Sequence, residues 1–453
     1  KNQSKITTLY SELAEPLVKK YDFIKGFNGG LLDFYSIERK SFSESQLKIY
    51  DFKVKKIPAL AKILTLASLQ GIADLLTGEG IRFDELDIKF NSNSDQLNLD
   101  WLPAEIETHK LVFLNGHFDI KLSKIGKMDT GVTVMPLSKV LSSDPDLIAE
   151  YLGQISSIEN FPVTALNTAF IEDGLIVLID NVKMLKPIEV LFISEGSQNK
   201  TYHPRNLVVA KDNANVTILE RHIGYGEGSY LTNSVTEMWV DGGSHVKHYR
   251  MLDDSHQGVN LSSVKVQVGE RGTYDSFVLS VGGRLSRSEI NVVCHAEDAH
   301  TNLNGVYIAR SDQHMDHTTL IEHLSPNTSS SENYKGVLDD KARGVFQGSI
   351  IVSDGADGTD GRMSNKTLLL SNEAEIDAKP QLEIYADDVQ CAHGFTAGEL
   401  DEDALFYLRS RGISNAEAQS MLIEGFLTEV IDGGVDDIYR DIYKGTICEW
   451  MES

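Results

Sequence analysis

Residues 214–252 read ANVTILERHIGYGEGSYLTNSVTEMWVDGGSHVKHYRML. Within them NVTILERH (215–222), VTEMWVD (235–241) and HVKHYRML (245–252) are short runs rich in β-branched and aromatic residues, parted by Gly, Asn and Asp. Such runs read as strands joined by turns. The same texture starts at GLIVLID (174–180), passes through IEVLFIS (188–194) and NLVVAKD (206–212), and continues in SVKVQVG (263–269) and SFVLSVGG (276–283). A small residue sits two positions before a strand at Ala214-Asn-Val216, Ser244-His-Val246, Gly272-Thr-Tyr274 and Ala299-His-Thr301, at offsets of 30, 28 and 27 residues. Ala342-Arg-Gly344 and Ala374-Glu-Ile376, 32 residues apart, extend the series. A period near 30 built from strands without intervening helices predicts a parallel β-solenoid, in which each rung buries its face only against the next. The competing architecture on spacing alone is an antiparallel sandwich.

Outward from this core the patterning changes. Ile6, Leu9, Leu13 and Leu17, then Leu60, Ile63, Leu64, Leu66, Leu69 and Ile72, have helical spacing. A polar stretch from Asn91 reads as a loop, Leu111-Val-Phe-Leu as a strand and the region from Asp144 to Leu152 as a helix. The expected organisation is a mainly helical N-terminal region (1–172), a β-solenoid core (173–395) and a helical C-terminal domain (396–453). In the last, Asp401 caps a helix running to about Ser410 with Gly412 as its left-handed terminator, and Ser414 with Glu417 forms a capping box. The next helix carries Ala418, Met421, Leu422 and Phe426 together with Ile423, Leu427, Val430 and Ile431, more apolar surface than one core-facing stripe needs. A second covered face, on the solenoid or on a partner, is expected.

The chain has 453 residues, 42 Lys and Arg against 67 Asp and Glu, and a net charge of −25. That charge argues against nucleic-acid and anionic-membrane surfaces. No apolar run approaches ~18 residues, the length of a membrane-spanning helix. The sequence begins at Lys1 rather than Met, which leaves a removed leader open. Cys294, Cys391 and Cys448 are too few and scattered for a disulfide framework, so a reducing compartment, the cytoplasm, is expected. Three thiols cannot supply four ligands to one iron–sulfur cluster, so any such site must be shared with another chain or completed by other donors.

No G-x-x-x-x-G-K-[ST] loop occurs, so no nucleotide is expected on this chain; Gly224-Tyr-Gly-Glu-Gly228 lies between strand runs and reads as a turn. His314 and His317 have opposite strand parity and diverge, while His317 and His323 share a face but lie about 20 Å apart when extended; all three read as imidazoles satisfied within stacked rungs. Cys294 reads as a buried small hydrophobe and Cys448 as incidental. Cys391 and His393 differ: two residues apart with equal parity, they project to one side of an extended segment and form a soft-metal half-site.

ARGVFQGSIIV (342–352), TDGRMSNKTLLLS (359–371), KPQLEIYADDVQCAHG (379–394) and LDEDALFYLRSRGIS (400–414) closely resemble SufD, a scaffold family of the SUF iron–sulfur cluster assembly machinery. The resemblance covers residues 110–430 at least and is closest from about 305 to 431. TAGELDED (396–403) departs from the T-S-K-I-G-E-D-Q pattern of the related SufB chains, and Phe395 and Ala397 replace the small and branched residues usual in SufD. The resemblance implies a right-handed parallel β-helix between two helical domains and a heterodimer with a SufB-like subunit through the β-helix. It also implies a SufC-like ATPase docked on the C-terminal helices. Its histidine at position 393 lies at the SufB interface and helps build a transient, nascent cluster with a SufB cysteine; the role of Cys391 is open. No nucleic acid or membrane partner is implied, and a homodimer is an alternative for the isolated chain. A reading from another class is a β-helix carbohydrate-active enzyme or binding protein, with Asp339, Asp340, Lys341 and Arg343 lining a lateral groove.

Overall fold

The structure is a computed structural model; it describes residues 4–14, 27–39, 42–54, 81–93, 101–103, 106–159, 161–196 and 200–452. The chain divides into two compact units, 1–98 and 99–453.

In the first unit four strands, Ser4–Ser11, Phe27–Arg39, Phe42–Val54 and Ile81–Asn93, form one antiparallel sheet in sequence order. At Ile6 and Leu9 the helical expectation is therefore corrected. Ile6 and Leu9 lie in a strand, in register with Ile37 and Phe34. Their spacing of three is the helical one, but the intervening Thr7-Thr8 favours an extended backbone once a partner strand is present. Leu17 and the Leu60–Ile72 pattern lie outside the described residues. Asn91 to Asn93 finish a strand rather than opening a loop.

In the second unit, among the described residues, helix before the solenoid core is confined to α1 (Leu137–Ser143), one 3-10 turn (Pro145–Leu147) and α2 (Pro162–Ala169). The helix expected near 144–152 is displaced: Pro136 precedes α1 and Asp144 closes it. The strand expected at Leu111 is present as His109–Leu114.

The solenoid is as expected, with about eight turns. From Asn215–Tyr225 onward successive strands alternate between two ten-stranded sheets, each pairing in parallel with its sheet neighbours, whereas the first pair in each sheet is antiparallel. One sheet runs from His109–Leu114 to Gln390–Gly398, the other from Val132–Pro136 through Leu175–Asp180 to Glu375–Ile384. The junction residues Ala214, Ser244, Ala299, Ala342 and Ala374 are buried at the corners. Asp212, Asn213, Arg271, Asp298, Asn327 and Asp340 turn the chain ahead of them with φ between 51° and 64°, a region Asn and Asp tolerate best among residues with a side chain.

Alternate residues face inward and outward. The interior holds an apolar column, including Ile218, Val266, Val292, Met315, Ile321, Phe346 and Ile350. It is packed closely enough to need glycine: a Cβ at Gly305 would meet the Tyr334 ring at 2.2 Å, and one at Gly336 would meet the Tyr307 ring at 2.0 Å. Those residues are register partners, Gly305 with Tyr334 and Tyr307 with Gly336, so each glycine makes room for the neighbouring rung's tyrosine.

The outward residues Leu219, Tyr249, Met251, Phe277, Leu279, Val306, Ile308 and Val337 receive the C-terminal helices α3 (Glu402–Ser410), α4 (Asn415–Gly434) and α5 (Asp437–Glu452). The expected caps are present. Asp401 accepts from the backbone N–H of Asp403 and Ala404, Gly412 has φ +89°, and Ser414 with Glu417 forms the reciprocal capping box. Ile423, Leu427, Val430 and Ile431 of α4 and Tyr439, Tyr443 and Ile447 of α5 pack on the sheet. Lys335 ties α4 down by donating to the Phe426 carbonyl and the Glu429 carboxylate. The wide apolar surface of α4 thus has one face on the solenoid. Met421 stays 50% exposed, and α3, with no buried residue, presents Phe406 (72%) and Tyr407 (55%).

A candidate cluster site on the last rung

Cys391 and His393 lie in the strand Gln390–Gly398, the terminal strand of its sheet, which pairs along one edge only, with Asp360–Leu369. Their register partners are Gly361 and Met363, both inward-facing and buried. The equal parity read from the sequence therefore places both in the inward phase of the solenoid. Cys391 Sγ lies 3.5 Å from where a Cβ of Gly361 would stand, a position that also meets Ile350 and Ser330. The thiol is half-buried and packs on the interior column. That burial, with Asp360 adding to it, raises the Cys391 pKa above its ordinary value, while a backbone hydrogen bond from Gly361 partly opposes the shift. At neutral pH the group is a thiol. His393, two residues along the same strand, is exposed.

No further donor joins the pair: among the described residues no group of three or more His, Cys, Asp or Glu is arranged to hold a metal ion. Cys294 is fully buried in the interior, where burial pushes its pKa up to about 12, as a packed hydrophobe requires. Cys448 is half-buried on α5. His323 is satisfied by Thr328 Oγ1 and Ser330 Oγ, at 2.8 and 2.9 Å. His317 differs from expectation: neither ring nitrogen has a partner, the ring stacks on Tyr307, and burial pulls its pKa down to about 3.

The acidic-basic run proposed for a lateral groove is accounted for by the turn that contains it. Asp339 accepts from the Asp340 and Ala342 backbones, Asp340 accepts from the Ser311 N–H one rung away, and Arg343 pairs with Asp377. These contacts hold corners together, and the carbohydrate reading is not favoured.

Residues 192–426 match the family model described as "SUF system FeS cluster assembly, SufBD core domain", and residues 81–190 match "SufBD protein N-terminal region". The chain belongs to the SufBD family. An iron–sulfur cluster assembly SufBD family protein of Synechocystis sp. is 31% identical over 345 residues, covering 73% of this chain and 75% of that protein. The iron–sulfur cluster assembly protein SufD of Escherichia coli is 31% identical over 255 residues, 56% of this chain and 60% of its own length. The chloroplastic protein ABCI7 of Arabidopsis thaliana is 29% identical over 294 residues, 63% and 62% of the two chains. The resemblance to SufD read from the sequence stands, and SufBD membership gives the chain a role in iron–sulfur cluster assembly. Among the described residues no helix is long and apolar enough to cross a membrane.

Sequence reasoning missed the polar interior. Glu220 accepts from two histidine rings, His222 and His248; Arg250 donates to Ser262 and Ser288; Glu332 accepts from Thr319. The signal was present as charged residues at inward parity inside otherwise apolar strands, yet which parity is inward emerges only once the coil closes.

Proposed function

We propose that this SufBD chain is a non-catalytic scaffold subunit that supplies half of an intersubunit cluster site, with His393 as the leading ligand and Cys391 as the second. The observation that carries this reading is the uncovered last rung. Its two donors sit on an edge strand in the inward phase, beside Ile384 and Phe395, which are 43% and 37% exposed although they occupy positions that are buried one rung earlier. Unpaired edge backbone with exposed apolar side chains is the kind of surface that another chain's strands cover. A partner with its own open solenoid edge, a SufB-like subunit, would cover it and bring the missing thiolates; a second copy of this chain is the alternative occupant. Iron and sulfide assemble there as cargo. The exposed Phe406, Tyr407 and Met421 on α3 and α4 are the surface for a SufC-like ATPase, large aromatics being the usual anchors of such interfaces.

The test is His393→Ala in the chain co-expressed with a SufB-like subunit and a SufC-like ATPase. Native mass measurement is expected to show an unchanged complex, while the cluster's visible absorbance is lost. Clusters forming at the wild-type rate in this variant would remove His393 from the site.

A further inference from the structure

At the other end of the sheet that carries Cys391, where His109–Leu114 begins, a cavity of about 490 Å³ opens beside Lys110, Lys124, Lys186, His109, Glu107 and Glu189. Among the described residues three cations face two carboxylates, in a chain whose net charge is −25. Both carboxylates are engaged. Glu189 accepts from Trp101 Nε1 at 3.0 Å and Thr108 Oγ1 at 2.6 Å, with Lys110 at 3.5 Å. Glu107 is paired with Lys186 at 2.5 Å. The Lys124 ammonium makes no hydrogen bond or close ion pair among the described residues, and the carboxylate its charge reaches, Glu107, is already paired with Lys186. His109 is 8% exposed, and its Nδ1 has no partner. That ring edge faces Gly126, another wall of the cavity, where a Cβ would meet Nδ1 and Cε1 at 3.3 Å. Leu102, Pro103 and Ile106 make the remaining wall apolar.

We propose that this cavity binds a small phosphate monoester with an apolar body, its dianionic head between Lys124 and Lys186 and in hydrogen-bond reach of His109 Nδ1. An ammonium without a counter-ion of its own, a buried imidazole nitrogen without a partner and an apolar wall are the complement such a ligand needs, and the volume lies in the range of small-molecule sites. The three ammonium groups exceed the two carboxylates by one charge and a protonated His109 adds a second, so a dianion matches the filled cavity. Burial and Lys186 hold the His109 pKa below its ordinary value, so the ring is neutral when the cavity is empty and gains a stabilising anion when it is filled.

The test uses the full chain at low ionic strength, with phenyl phosphate, inorganic phosphate and benzoate as probes in titration calorimetry. Phenyl phosphate is expected to bind saturably at one site and more tightly than either other probe. Lys124→Glu should weaken it by about tenfold or more, the loss of one charge-assisted contact. Lys186→Gln should act in the same direction; both positions are on the surface, so folding, checked by circular dichroism, should be unaffected. The His109 ring resonance should titrate at higher pH with phenyl phosphate bound. Absence of saturable binding by the folded wild type, or unchanged binding in Lys124→Glu, would overturn the site. Benzoate binding as tightly as phenyl phosphate would overturn the phosphate assignment, and equal binding of inorganic phosphate would overturn the apolar body.

Discussion

The rung Arg343–Val352 and the rung Glu375–Ile384 are neighbours in one sheet, with the same inward phase and similar apolar content, yet their inward side chains have opposite fates. Phe346 and Ile350 are 1% and 0% exposed; Leu382, the register partner of Ile350, is half-buried, and Ile384 faces solvent. The difference is not in the residues. A solenoid rung is covered from two sides only if a further rung follows, and here none does. The last rung keeps the chemistry of a core and the exposure of a surface, which suits a place where another chain completes the stack.

Substitution of matched aromatics should give the largest contrast. Phe346→Ala removes a buried ring that lies 5.2 Å from Tyr334 and is expected to lower stability by ~3–5 kcal/mol in urea unfolding. Phe395→Ala, on the open rung, should cost the isolated chain less than ~1 kcal/mol. Equal losses would mean that the last rung is as closed as the one inside it.

Next in size is a pH effect confined to the interior. Burial raises the Glu332 pKa to about 8 from an ordinary 4.5, with the Thr319 hydroxyl opposing, and Oε1 has no partner. The folded state therefore holds the proton more tightly than the unfolded chain. This contribution is fully present below pH 4.5 and is lost as pH rises toward 8, at up to ~1.4 kcal/mol per pH unit. Glu332→Gln should abolish that slope, so its advantage over the wild type grows between pH 5 and pH 8. Parallel unfolding free energies for the two proteins across that window would sink the assignment.

The smallest contrast is kinetic and concerns the thiols. In a Cys448→Ser background Cys391 should react with a thiol reagent in the folded protein while Cys294 stays silent until unfolding. Because the Cys391 pKa is raised, its rate should climb ~10-fold per pH unit through neutrality as the thiolate fraction rises. Reaction of Cys294 at a comparable rate would show that the interior opens.

Much of this was legible from residues alone. Short β-branched and aromatic runs from Gly174 onward, with small residues recurring at the corners near every thirtieth position, specify rungs because a corner must be both tight and buried. Asp401, Gly412, Ser414 and Glu417 announced the C-terminal helices because caps are local chemistry. The stretch around Ile6 and Leu9 was misread for the opposite reason. A spacing of three between Ile6 and Leu9 is the helical one, and it was overridden by pairing with Phe27–Arg39, which no local pattern encodes. His317 was expected to be satisfied because most buried imidazoles are; its unpartnered nitrogens follow from the tyrosines stacked around it.

For the cluster site the division is sharper. The sequence by itself determined the pair, the common side on which Cys391 and His393 stand, and the shortage of thiols on which the proposal of a shared site rests, since parity and composition are properties of the chain. Only the tertiary structure decided that this common side is the solenoid interior, that it lies on the uncovered last rung, and that the Cys391 thiol is held in its protonated form. Inward and outward, covered and open, are defined by the neighbouring rungs, and the count of rungs is settled only when the whole coil is stacked.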